Sequence, residues 1–107
     1  MDDSSFIKLA DETLASLMHN IEDVLGDRAD IDLQDGILTI DLDEGGSYVV
    51  NKHLPNRQIW LSSPLSGAAN FAYDPQRGWV VTRGDDTLHA LLEQEIATVT
   101  GTTVALR

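Results

Sequence analysis

From about residue 5 to residue 25, apolar side chains recur every three or four positions. They are Phe6, Leu9, Thr13, Leu17, Ile21 and Val24, with Ala10, Leu14 and Leu25 alongside. That period predicts an amphipathic helix. Ser4 or Ser5 is the expected cap at its start and Gly26 the expected stop. After Asp30 the period shortens to two, which predicts half-buried strands. Segments near 30–34 and 37–42 flank the tight-turn pair Asp35-Gly36, and Asp43-Glu44-Gly45-Gly46 turns into a strand over 47–52. Pro55-Asn56 leads to another strand over 57–62, residues 64–67 form a loop, and two short strands over 70–73 and 79–83 flank the turn 74–78. A second helix is expected over 87–100, capped by Asp86 or Thr87 and stopped by Gly101. Its apolar face is Leu88, Leu91, Leu92, Ile96 and Val99.

The order is thus helix, five or six strands joined by short turns, then helix. Short connections require antiparallel neighbours, because parallel ones need long crossovers. Helices and sheet that are each apolar on one side bury those sides together. The expected class is α+β, a two-layer α/β sandwich with the N- and C-terminal helices on one face of the antiparallel sheet. Residues 1–107 read as a single domain without internal repeats.

Charge sharpens this picture. The net charge is −11, and residues 1–44 alone carry thirteen of the eighteen acids against two bases, Lys8 and Arg28. Residues 45–107 balance at five of each. So acidic a chain is repelled by nucleic acid and by anionic membranes, so neither is an expected partner. On the first helix, Asp11 and Glu22 share one flank of the polar face and Glu12 and Asp23 the other, with Lys8 and His19 between. Two readings stand side by side: a solvated surface, or a shallow, water-rich site for hard cations such as Fe²⁺, Mn²⁺, Mg²⁺ or Ca²⁺. The spacing contains no Glu-x-x-His pair and no calcium loop. With no cysteine, the chain lacks the usual ligands of an iron–sulfur cluster.

In the strand over 57–62, alternation sends Ile59 and Leu61 toward the helices and Gln58, Trp60 and Ser62 to the open side. Trp60 is then either packed against Asn51 or Val49 across the sheet, or an anchor for a partner. Trp79 reads as core and His89 as a half-buried structural residue. His19 has Glu22 and Asp23 within helical reach, as charge partner or metal ligand. No Ser-His-Asp order, glycine-rich phosphate loop or carboxylate pair in a cleft emerges, so an enzyme is not expected.

The run from Gly46 to Pro64, Gly-Ser-Tyr-Val-Val-Asn-Lys-His-Leu-Pro-Asn-Arg-Gln-Ile-Trp-Leu-Ser-Ser-Pro, closely resembles the signature of the frataxins. Residues 9–14 resemble the start of their first helix, 36–40 their second strand and 88–92 their last helix. The resemblance covers essentially the whole chain in order. It implies an accessory protein of iron–sulfur cluster assembly that binds Fe²⁺ or Fe³⁺ weakly and exchangeably on an acidic ridge. Carried over, the ridge is Asp11, Glu12, Glu22, Asp23, Asp27, Asp30 and Asp32, to which His19 is added. The same ridge is expected to dock a cysteine desulfurase. The sheet patch Asn51, Gln58 and Trp60 is expected to meet the scaffold protein on which the cluster is built. The enzyme-class alternative is a ferroxidase that stores iron, and a third reading is an acidic decoy without metal function. Two positions depart from the family pattern: Met18-His19 stands where many bacterial members have adjacent glutamates, and Asn70 where eukaryotic members place an arginine beside the tryptophan. A monomer is expected. The compartment expected from the start of the chain is the cytoplasm, with the mitochondrial matrix as the alternative for a processed eukaryotic form.

Overall fold

The first helix starts on Asp2 rather than on Ser4 or Ser5. The Ser5 backbone N–H donates to the Asp2 carboxyl at 2.7 Å, a bond that holds this carboxyl below its usual range. In the computed structural model, which describes residues 1–106, α1 accordingly spans Asp3–Leu25 and ends at Gly26, where φ is 53°. A 3-10 turn over Gly26–Arg28 passes the chain into the sheet.

Six strands follow: β1 (Ala29–Gln34), β2 (Ile37–Leu42), β3 (Ser47–His53), β4 (Gln58–Ser63), β5 (Gly67–Asp74) and β6 (Gly78–Val81). They lie in chain order and each is antiparallel to the next. Helix α2 (Leu88–Thr100) begins with the Thr87 hydroxyl accepting from the Ala90 N–H and ends at left-handed Gly101. Both helices cover one face of the sheet, the α+β sandwich expected. Strand β5 is longer than its pattern indicated, taking in residues 67–69. Strand β6 stops at Val81, where the Val81 N–H donates to the Asp86 carbonyl at 2.8 Å and the chain turns toward α2.

The core is built from the inward rows of the sheet (Leu38, Ile40, Tyr48, Val50, Ile59, Leu61, Phe71 and Trp79) and the facing stripes of the helices. Each buried Leu, Ile or Phe contributes about 1.5–3 kcal/mol of transfer free energy. The α1 stripe is Phe6, Ala10, Leu14, Leu17, Ile21 and Leu25. Val24 lies about five turns after Phe6 at the same angle on the wheel, yet it is 42% exposed. Phe6 meets the Trp79 ring edge-on with centroids 6.0 Å apart, whereas Val24 ends outside the core.

Beyond α2 the chain still packs. Val104 and Leu106 are buried, and Arg28 holds this segment by donating to the Thr100 carbonyl and the Thr102 hydroxyl while pairing with Glu44 at 2.7 Å. Burial lowers the pKa of His89 below its ordinary 6.5, an effect partly opposed by Glu93. Above that value both folded and unfolded chains hold a neutral imidazole. As pH falls through it, the unfolded chain takes up a proton that the folded chain resists, so this contribution to stability is lost toward acid. His89→Asn should therefore flatten the urea-midpoint difference between about pH 7 and about pH 5 relative to the parent chain. An unchanged difference would show that His89 carries no such linkage.

Candidate functional site

On α1 the expected ridge divides. Asp11 and Glu22 share the flank beside β1, but at 1.5 Å per residue they stand about 16 Å apart along the axis. Glu12 and Asp23 are separated by the same rise on the outer flank. Met18, between Asp11 and Glu22, is half-buried against the core. Asp11 is also not a free carboxylate: Lys52, reaching up from the covered face of β3, donates to its Oδ1 at 2.8 Å. The pair borders a groove of about 520 Å³ between α1 and the β1–β2 turn, lined also by Leu14, Leu33, Asp35 and Gly36.

Strand β1 splits the ridge further. Ile31 and Leu33 turn under α1, so alternation sends Asp30 and Asp32 to the opposite, open face. There Asp30 stands opposite Asp41 and Asp32 opposite Thr39. The acids thus occupy two surfaces: Glu12, Glu22, Asp23 and Asp27, with His19 among them, on the helix and the turn after it, and Asp30, Asp32 and Asp41 at one edge of the open sheet. Among the described residues, no three Asp, Glu or His side chains form a group that could hold a metal ion. Among them, too, none of Glu12, Glu22, Asp23, Asp27, Asp30 and Asp32 forms an ion pair. This leaves a strong, uncompensated negative field over exposed carboxylates, chemistry suited to hydrated cations or to a basic protein surface.

The open face is centred on Trp60. Cross-strand register places Asn51, Trp60 and Asn70 in one row. The indole Nε1–H donates to Gln58 Oε1 at 2.8 Å. The ring is half-buried, with Asn51 directly opposite it across the strands. His53 stacks on it with centroids 3.6 Å apart and planes 10° from parallel. A shallow groove of about 240 Å³ opens beside it, lined by Val49, Asn51, Trp60, Ser62, Ala68 and Asn70. The hairpin register contains the signal for His53: it lies on the Asn51 side of β3 and opposite Gln58, diagonal to Trp60. Trp79, by contrast, is 2% exposed and donates to the Thr13 hydroxyl at 3.0 Å.

A second polar cluster escaped the pattern. Glu95 in α2 is 7% exposed, and its Oε1 accepts from the Tyr48 hydroxyl at 2.9 Å and the Ser63 hydroxyl at 2.5 Å. Burial, reinforced by the bond to Glu95, pushes the Tyr48 hydroxyl far above its ordinary range. Ser63 Oγ in turn accepts the Leu65 and Ser66 N–H groups. Glu95 lies two turns after Leu88, on the apolar stripe, so a wheel places it inside.

The fold recurs in known proteins. The model of the frataxin-like domain matches residues 1–102. The chain is 40% identical over 111 residues to a mitochondrial frataxin of Arabidopsis thaliana, covering 99% of itself and 59% of that protein. With the iron-sulfur cluster assembly protein CyaY of Thioalkalivibrio sulfidiphilus it is 38% identical over 109 residues, covering 99% of itself and all of that protein. It spans less than two thirds of several eukaryotic relatives, 65% in Schizosaccharomyces pombe and 37% in Dictyostelium discoideum. Among solved structures, frataxin from Psychromonas ingrahamii superimposes with a TM-score of 0.88 at 27% identity, covering 100% of this chain and 99% of that one. A trimeric yeast frataxin complexed with ferrous matches with a TM-score of 0.69 at 32% identity, covering 94% and 88%. With its two helices, its six-stranded meander and its whole length in register with these proteins, the chain belongs to the frataxin family.

Proposed function

We propose that this chain is a non-enzymatic accessory protein of iron–sulfur cluster assembly with two working surfaces. The acidic surface of α1 binds ferrous iron weakly and docks a cysteine desulfurase, and the open sheet around Trp60 meets the scaffold protein. The observation that carries this reading is the sheet face itself, where an ordered tryptophan sits beside a groove flanked by two amides. Large aromatics with polar neighbours are typical anchors of protein interfaces. The name of the Thioalkalivibrio relative supports the assembly role, and the ferrous complex of the yeast one supports iron as the metal. Asn70 opposite Trp60 offers amide hydrogen bonds and no cation over the indole. We take the working form as a monomer, in the bacterial cytoplasm or the mitochondrial matrix.

The acidic surface has a direct test. Fe²⁺ should shift NMR signals around Glu12, Glu22 and Asp23 while the Trp60 face stays unchanged, and Mn²⁺ or Co²⁺ should compete at similar concentrations. Replacing Glu22 and Asp23 by Lys should weaken both iron binding and desulfurase capture, and raise the melting temperature by relieving like-charge repulsion. Desulfurase capture should also fall steeply toward about 0.5 M salt, where screening acts within a few ångströms. Tight, selective iron binding that survives the double substitution rules out the helix surface. Fe²⁺-dependent oxygen consumption above that of free iron replaces this reading with the ferroxidase one.

A further inference from the structure

Trp60 is held by its neighbours. Its Nε1–H is tied to Gln58, and one face of its ring lies under the His53 imidazole, almost parallel to it. A side chain fixed before binding loses less freedom on docking, so whatever immobilises Trp60 raises the affinity of its partner. His53 does this through its stack on the indole: its own Nδ1 is buried and has no hydrogen-bond partner among the described residues, so the ring contact is what the imidazole offers there.

The neighbouring side chains do not compete with the stack. On its own strand, Asn51 is neutral and Lys52 projects to the other face, where it pairs with Asp11. From β4 come Gln58 and, in the preceding turn, Arg57, which pairs with Asp3. Beyond Gln58 on β5 stands Ala72. The nearest carboxylate by backbone pairing is Asp35 in the β1–β2 turn, next to Gly36, whose carbonyl accepts the Lys52 N–H. None of these bonds Nδ1, so among the described residues nothing on that side of the ring draws the imidazole off the indole.

The geometry points to His53 as the positioning residue of Trp60: the imidazole, stacked on the indole, holds it against the sheet beside the groove formed with Val49, Asn51 and Ala68. The inference rests on the reading that this face docks the scaffold, but its first test does not need that partner. In ¹H–¹⁵N NMR the two indole N–H signals are separate probes, with Trp79, bonded to Thr13 in the core, as the reference. His53→Ala should shift the Trp60 signal and raise its fluorescence quenching by acrylamide, while the Trp79 signal stays in place. His53→Phe, which keeps a stacking ring, should hold the Trp60 signal near its parent position. Scaffold affinity should fall about two- to ten-fold in His53→Ala, the equivalent of one side chain left mobile, and recover in His53→Phe. If the Trp60 signal and its quenching are unchanged in His53→Ala, the positioning role is overturned. If it responds as described while Trp60→Ala binds scaffold as the parent does, His53 still positions Trp60, and it is the docking reading that fails.

Discussion

Trp79→Ala is expected to destabilise the domain by ~3–5 kcal/mol, whereas Trp60→Ala should cost roughly 1 kcal/mol. Trp79 is 2% exposed between Phe6 and Tyr73, and its indole N–H is bonded to Thr13 of α1. Truncation opens a cavity where α1 meets the sheet and leaves the Thr13 hydroxyl without its donor. Trp60 loses only the His53 stack and the Gln58 bond on a face open to water. In function the order reverses. As an anchor, Trp60 removed should cost ~2 kcal/mol or more of scaffold binding, while Fe²⁺ perturbation on α1 should persist. Urea unfolding and a scaffold pull-down on the two variants decide the matter. A Trp60→Ala chain that unfolds while Trp79→Ala stays stable would invert the assignment of the two faces.

Glu95→Ala should be nearly as damaging, by ~2–4 kcal/mol, because two buried hydroxyls lose their acceptor and a cavity opens under α2. Tyr48 donates to Glu95, and Ser63 connects the loss to the loop at residues 64–66 through the Leu65 and Ser66 N–H groups. Glu95→Gln keeps an acceptor oxygen of the same reach and should recover most of the loss. Melting curves of the two variants test this. An Ala variant as stable as the parent would mean that the cluster is tolerated rather than stabilising.

The elements themselves were legible because period and turn chemistry are local. Three- and four-residue spacing through Phe6 and Ile21 sufficed for α1, and alternation through Ile59, Trp60 and Leu61 separated the covered face of the sheet from the open one. Family resemblance named the acids but could not say which of them face the same way. Alternation carries Asp30 and Asp32 to the open side of β1, where they leave the helix surface and join Asp41. That step was readable from period two, once β1 was known to send Ile31 and Leu33 beneath α1.

What the sequence by itself determined is each element and the two faces that element presents, since these depend on residues a few positions apart. The tertiary structure alone decided which faces meet. Lys52 neutralises Asp11 across 41 positions, Arg28 secures the segment after α2 across 72 and 74, and Glu95 finds Tyr48 across 47. Such partners are set by strand register and by where each helix lies on the sheet, and no local period encodes either. The same holds for His53, an unremarkable polar residue at a strand end until the β3–β4 register lays it over Trp60.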